Sequence, residues 1–292
     1  MTKRARLSIV VDSTALRAVD RELLVATTKR HAVSVMPFTV LRLLADLATI
    51  TDKRAAFANL LKCQHVAVLP NTLSDAMTLL STTSAANHRY FLEPAFSEKI
   101  IRMAASSGSY DDFMSRSFVI HDEPVPIADV PVTVKAVLAP MSATVNTQVQ
   151  SSAATLKKEL GADGIAAMTS ENTMRFVVAA VVVVADQRKA QLTTQQMSAV
   201  YGFVAACVMR AGLQLAAGNE IFVRDDVEFA LLPLHLVIGE TVVVSDDSNT
   251  REVLTMTDAV VSSLVRRGPR LRTAAVIELR GNGPVSGAAG AT

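Results

Sequence analysis

Half of the 292 residues are hydrophobic and one fifth are charged, a composition that excludes a disordered chain and suffices for one large domain or two small ones. The formal net charge of +2 excludes a general attraction to nucleic acid, so any such contact needs local basic patches. Cys63 and Cys207 are the only cysteines and form no motif, which is typical of a reducing compartment. The longest apolar run, residues 176–185, is about half a membrane span, and no signal peptide is recognisable, so we expect a cytoplasmic protein without a membrane partner.

The first seventy residues alternate between strand and helix patterns. Short runs rich in β-branched residues predict buried parallel strands, and apolar residues at helical spacing predict helices. Strands are predicted at residues 7–11, 32–36 and 66–69, and helices at residues 16–31, 38–48 and 53–62, the last with Asp52 as its N-cap. This alternation is typical of a parallel sheet with helices on its faces.

The middle of the chain has a different character. Four prolines between residues 118 and 140 argue against long regular elements there, and a helix is predicted at residues 72–81. The α/β pattern then returns, with predicted helices at residues 193–217, 225–237 and 250–265 and predicted strands at residues 241–244 and 274–279.

These elements predict an α/β fold of three layers, α-β-α, around a central and mainly parallel sheet. The expected α/β domain is discontinuous, at residues 1–71 and 173–265. Residues 72–172 are expected to form a helical and loop-rich insertion, and residues 266–292 a basic segment with an edge strand and a flexible tail.

Acidic residues stand where predicted strands end and where one predicted helix begins. Asp12 follows the first strand, Asp246 follows the strand at residues 241–244, and Asp225, Asp226 and Glu228 open the helix before that strand. Ligands bind at the carboxyl edge of such sheets, and converging carboxylates bind Mg²⁺ or Mn²⁺. Each aspartate taken singly is equally explained as a helix cap or turn former.

Four passages of the chain resemble the PIN-domain nucleases, the fold of many toxin ribonucleases and of some RNA-processing nucleases. In chain order they read LSIVVDSTALRAV, AVSVMPFTVLRLLADL, FVRDDVEFALLPLHLVIGE and TVVVSDDSNTREVL. The likeness covers about the first seventy residues and residues 173–262. It implies a Mg²⁺- or Mn²⁺-dependent endoribonuclease that hydrolyses phosphodiester bonds of RNA or single-stranded nucleic acid, as a monomer or homodimer and with a protein regulator as a further partner.

The resemblance also implies roles for particular residues. Asp12, Asp225 and Asp246 would be the catalytic acids and metal ligands, and whether Asp225 or its neighbour Asp226 points inward stays open. The residues expected to support them are Ser13, Asp46, Glu228 and Ser245. Asp247 is predicted to cap the helix that follows it.

One position departs from the family pattern. The family's second acidic residue falls at Arg42, and an arginine cannot bind a cation. Asp46, one turn later on the same helix face, could substitute. Arg42 would otherwise grip a substrate phosphate, or pair with Asp12 or Asp246 and replace the metal. Phosphate contacts are also expected from a basic cluster after the last helix, at Arg266 and Arg267.

Three hypotheses from different classes remain open at this point. The first is an active PIN-like nuclease. The second, which Arg42 favours, is a catalytically degenerate PIN-like module that binds RNA or a protein. The third is a structural, coat-type protein, with which the tryptophan-free composition rich in Ala, Val, Thr and Ser is compatible.

Overall fold

The protein is seen here in a computed structural model, which describes residues 7–70, 89–120, 123–166, 178, 182, 194–219, 221, 227–233, 241–264 and 271–280. The strands among these residues are β1 (Ser8–Val11), β2 (Ala32–Val35), β3 (Ala67–Val68), β4 (Ser117–Ile120), β5 (Glu123–Pro126), β6 (Thr241–Val244) and β7 (Leu271–Ala274).

The α-helices fall into three groups along the chain. The first group is α1 (Ser13–Ala18), α2 (Arg21–Arg30), α3 (Pro37–Thr49) and α4 (Lys53–Lys62). The second group is α5 (Arg89–Leu92), α6 (Pro94–Ala105), α7 (Tyr110–Ser115) and α8 (Val130–Ala166). The third group is α9 (Thr194–Ala216), α10 (Glu228–Leu231) and α11 (Ser248–Leu264).

Five strands form a parallel sheet in the order β3-β2-β1-β6-β7. Ser8 of β1 pairs with Ala32 of β2 on one side and with Thr241 of β6 on the other. The chain therefore runs outward from β1 to one edge and returns to the other side of β1. In an open α/β sheet such a reversal leaves a crevice at the carboxyl ends of the two central strands, which is where ligands bind. The predicted α/β fold with a parallel central sheet flanked by helices is confirmed.

The last three residues of each central strand are apolar because both faces of the sheet are covered there. Val10 and Val11 of β1 and Val243 and Val244 of β6 are at most 1 % exposed. A strand buried on both faces cannot alternate between polar and apolar residues, so the continuous run seen in the sequence follows from this burial.

Helix α3 connects the sheet to the middle of the chain. It packs against α4 and α8, while α8 packs against α9 and α9 packs against α11. Val134 and Val145 of α8 belong to the same core cluster as Ile9 of β1. The long helix of residues 130–166 thus covers the same core that the sheet builds.

Two predicted elements are wrong in their bounds. The helix predicted at residues 16–31 is two helices, because Asp20 begins a new one by accepting a hydrogen bond from the Leu23 N–H at 2.7 Å. The edge strand predicted at residues 274–279 lies earlier, as β7, and a 3₁₀ turn at Val276–Arg280 follows it.

The expectation that residues 118–140 contain no long regular element is also wrong. A two-stranded hairpin, β4–β5, occupies the first part; both of its strands are edges, where a proline need not donate a ladder hydrogen bond. Pro131 lies in the first turn of α8, where its missing N–H has no intrahelical partner to lose. Pro140 lies inside α8, and the helix changes direction later, at Gly161, whose φ is 63°.

Two predicted helix ends are confirmed, and three other predictions fall outside the described residues. Asp52 does cap α4, and α9 does end just before Gly218, whose φ is 67°. The helix predicted at residues 72–81, the apolar run at residues 176–185 and the predicted tail lie outside the described residues, apart from single positions in the run. Among the helices described, none combines the length and the apolar character needed to cross a membrane.

Candidate functional site

Asp12 lies directly after β1, at the carboxyl edge of the sheet. Its backbone N–H donates to the carbonyl of Val244 at 3.1 Å, and the residue is 1 % exposed. Its Oδ1 accepts hydrogen bonds from the Ala15 N–H at 2.7 Å and from the Thr14 hydroxyl at 2.8 Å. Asp12 is therefore the N-cap of α1, and the capping role weighed for it in the sequence is present.

Glu228, at the start of α10, is equally buried and lies against the same helix end. Its carboxylate accepts from the Ser13 backbone N–H at 3.0 and 3.3 Å and from the Ser13 hydroxyl. It also accepts from the Thr39 hydroxyl of α3 at 2.6 Å. Glu228 is 1 % exposed. The structure thus brings two buried carboxylates, those of Asp12 and Glu228, to the first turn of α1.

The end of β6 reaches the same place through Thr14. The Thr14 and Ser245 hydroxyls lie 3.1 Å apart, and the Asp246 N–H donates to the Thr14 hydroxyl oxygen at 3.0 Å. Ser245 is fully buried, whereas Asp246 is exposed. Asp246 is thus fixed at the sheet edge by its backbone while its side chain faces solvent.

Asp247 caps α11, as predicted. Its carboxylate accepts from the Asn249 N–H at 3.0 Å, from the Thr250 N–H at 3.3 Å and from the Thr250 hydroxyl at 2.7 Å. The Ser245 hydroxyl accepts from the Asp247 N–H at 3.2 Å. Ser245 therefore fixes the turn between β6 and α11.

Asp46, expected as a substitute metal ligand, forms an ion pair. Arg17 donates to its Oδ2 through Nε at 3.1 Å and through Nη2 at 2.8 Å. The same guanidinium donates through Nη1 to the Ser13 hydroxyl at 3.4 Å. A continuous polar chain therefore runs from Asp46 through Arg17 and Ser13 to Glu228.

Arg42 lies where α3 faces α8. It lines a cavity of about 180 Å³ together with Lys135 and Asp46. Among the described residues its side chain makes no hydrogen bond or ion pair, so the expected pairing with Asp12 or Asp246 does not occur there.

Several predicted site residues cannot be placed. Asp225, Asp226, Arg266 and Arg267 lie outside the described residues. Of the other predicted acids, the structure brings Asp12 and Glu228 together at α1, places the Asp246 backbone beside them and places Asp46 at the far end of the Arg17 chain.

Arg17 and Thr39 were not singled out from the sequence, and Glu228 was given only a supporting role. One signal was available for Thr39: Thr39, Arg42 and Asp46 recur at helical spacing on α3, so they lie along one side of that helix. Arg17 carries no such signal, because its partner is 29 residues away.

The thiol nearest this site is not a nucleophile. Burial raises the pKa of Cys63 to about 12, and the negative charge of Glu228 acts in the same direction. Thiolate chemistry at neutral pH is therefore not among the reactions this part of the structure supports.

The acidic side chains at this site can be compared with the ligands that Mg²⁺ requires. In the described part of the chain, no three His, Cys, Asp or Glu side chains are grouped so that they could hold a metal ion. Mg²⁺, however, usually keeps several waters and is bound by only one or two carboxylates together with substrate phosphates. Asp12 and Glu228 supply two carboxylates, which is the donor type and number of that mode of binding.

Comparison with protein-family models, with curated proteins and with solved structures gives no match for this chain. The assignment of function therefore depends on the geometry of the site and on the resemblance of the four sequence passages.

Proposed function

We propose that this protein is a PIN-like, metal-dependent nuclease that hydrolyses phosphodiester bonds of RNA or single-stranded nucleic acid. One observation carries the proposal: two buried carboxylates, Asp12 and Glu228, lie against the same helix end, directly after β1 and beside its neighbour β6. Fully buried Asp and Glu side chains are rare, and hydrogen bonds hold both of these in place at one position.

The protein holds the Glu228 carboxylate with donors from two helices. The Ser13 N–H and hydroxyl come from α1, and the Thr39 hydroxyl comes from α3. Hydrogen bonds donated to a carboxylate stabilise its negative charge and fix its orientation. The amide end of α1 also carries a partial positive charge, which favours both acids.

Asp12 and Glu228 are the residues that would hold a divalent cation, and Asp225, Asp226 and Asp246 are the further acids that the family resemblance assigns to it. The cation would activate a water and stabilise negative charge on the phosphodiester. Thr14 and Ser245 fix the two strand ends relative to each other through their hydroxyl contact.

A second candidate is a PIN-like module that binds RNA or a protein and no longer cleaves. Two observations favour it. Arg42 occupies the family's second acidic position, and Asp46, which could substitute for that acid, is paired with Arg17. Under this alternative the acids at α1 have a structural role only.

Cleavage and binding of a labelled single-stranded RNA, measured with and without Mn²⁺, separate the two candidates. The proposal expects Mn²⁺-dependent cleavage that is lost in Asp12→Asn. Binding without any cleavage in the wild type would contradict it and favour the second candidate. In that case Arg42→Glu should restore cleavage if this single ligand was the loss, and no gain would count against simple degeneracy.

A further inference from the structure

The cavity between α3 and α8 has the composition of a small-anion site. Arg42 comes from α3 and Lys135 from α8, and Thr49 and Ser142 line the same space of about 180 Å³. The buried ring of Phe38 is part of the wall. Two cationic residues and two hydroxyl-bearing residues thus line a partly open space with an apolar base, and Lys135 and Thr49 are exposed at it.

The electrostatic balance of this cavity is positive. Asp46 is the one acid among the described residues that line it, and Arg17 holds the Asp46 Oδ2 through two N–H donors. Within the described residues, neither the Arg42 nor the Lys135 side chain forms an ion pair or a hydrogen bond. Arg42 and Lys135 therefore carry two positive charges in this lining, while the negative charge of Asp46 is paired with Arg17.

The volume of the α3–α8 cavity indicates which kind of ligand fits it. A water molecule occupies about 30 Å³ of liquid, so the cavity has room for about six waters. Sites for drug-sized molecules measure about 300–1,000 Å³. The cavity can accept a phosphate group with some of its hydration, and its open side leaves the rest of a nucleotide in solvent.

We propose that the α3–α8 cavity binds one phosphate group of the nucleic-acid strand through Arg42 and Lys135. The assignment of the phosphate to a nucleic-acid strand rests on the proposed function. The binding of an anion depends only on the residues that line the cavity. Helix α3 connects the two sites, because Thr39 holds Glu228 and Arg42 follows it by one turn. The helix of residues 130–166 contacts the substrate phosphate through Lys135.

The test measures binding of a short fluorescein-labelled oligouridylate by anisotropy, in EDTA and over a series of salt concentrations. Arg42→Gln and Lys135→Gln should each weaken binding by about tenfold and lower the slope of log affinity against log salt by about 1. Lys157→Gln is the matched control, since it removes the same charge from the same helix about 33 Å further along. The control should bind as the wild type does.

A second arm distinguishes a strand phosphate from free phosphate. The thermal shift produced by inorganic phosphate, relative to chloride at equal ionic strength, reports occupation of the cavity by the free anion. A phosphate shift that Arg42→Gln abolishes, together with unchanged oligouridylate binding, would overturn the strand assignment. Equal oligouridylate affinities in all three variants and the wild type would overturn it as well.

The inference and the proposed function fail in different ways. If only the inference is wrong, the wild type cleaves RNA and Arg42→Gln binds the oligonucleotide normally. If the proposed function is wrong, Mn²⁺-dependent cleavage is absent in the wild type, whatever Arg42→Gln does to anion binding.

Discussion

The carboxylate of Glu228 accepts a 3.0 Å hydrogen bond from the backbone N–H of Ser13, the residue directly after Asp12. This contact joins residues 215 positions apart and closes the carboxyl end of β1 with an acid from α10. It places Glu228, which the sequence presents as one of several acids before β6, beside the first aspartate of the site.

Glu228→Gln should destabilise the fold. A glutamine amide offers one acceptor oxygen where the carboxylate offers two, so its NH₂ group would face the donors of Ser13 or Thr39. Leaving a buried donor without an acceptor costs about 1–3 kcal/mol, and the free energy of unfolding in urea should fall by that amount. Glu252→Gln, on the exposed side of α11, should change it by less than about 0.5 kcal/mol. Equal effects of the two substitutions would contradict the role given to Glu228.

Asp12→Asn should distinguish the capping role of Asp12 from its role in cleavage. Asparagine caps helices as well as aspartate does, so the melting temperature should change little, while Asp12→Ala should cost about 1 kcal/mol. Loss of the charge should lower cleavage by more than about a hundredfold, since even outer-shell partners of a metal contribute about tenfold to a hundredfold. Full cleavage by a well-folded Asp12→Asn protein would show that the aspartate is only a cap.

The Arg17–Asp46 pair should contribute more to stability than an exposed pair. Arg17 is 30 % and Asp46 12 % exposed, and Arg17→Gln would leave a largely buried carboxylate without its cation. We expect a loss of about 1–3 kcal/mol in the free energy of unfolding. Arg102→Gln is the control, because its 3.9 Å pair with Glu98 is mostly exposed and should contribute less than about 1 kcal/mol. A similar loss in both variants would be inconsistent with the polar chain from Asp46 to Glu228.

The two cysteines should be unreactive in the folded protein. With a pKa of about 12, the Cys63 thiol is only about 10⁻⁴ ionised at pH 8. Burial raises the pKa of Cys207 as well. Iodoacetamide should therefore alkylate both only after unfolding in urea, as followed by mass spectrometry. Rapid alkylation of the native protein would mean that the core around Cys63 opens readily.

Local patterns predicted the strands and caps of this fold well. Asp52 and Asp247 were predicted as caps because capping depends on residues three positions away, and the structure shows both. The buried runs of β1 and β6 carry their own signal, since burial on both faces removes polar residues from a strand.

The contacts that build the site could not be predicted in the same way. Thr39 and Glu228 are 189 residues apart, and no local rule connects them. The direction of Arg42 depends on α8, which begins at Val130 in a region whose prolines predicted a loop. Prolines in a two-stranded hairpin and in the first turn of a helix have no hydrogen bond to lose, so the pattern overstated their effect.

Anomalous diffraction from crystals soaked in Mn²⁺ tests the central claim most directly. The account predicts a manganese peak bonded to carboxylate oxygens of Asp12 and Glu228, with Asp12→Asn crystals as the control in which the peak is lost. A wild-type map without a peak between these two carboxylates, from crystals soaked well above millimolar Mn²⁺, would contradict it.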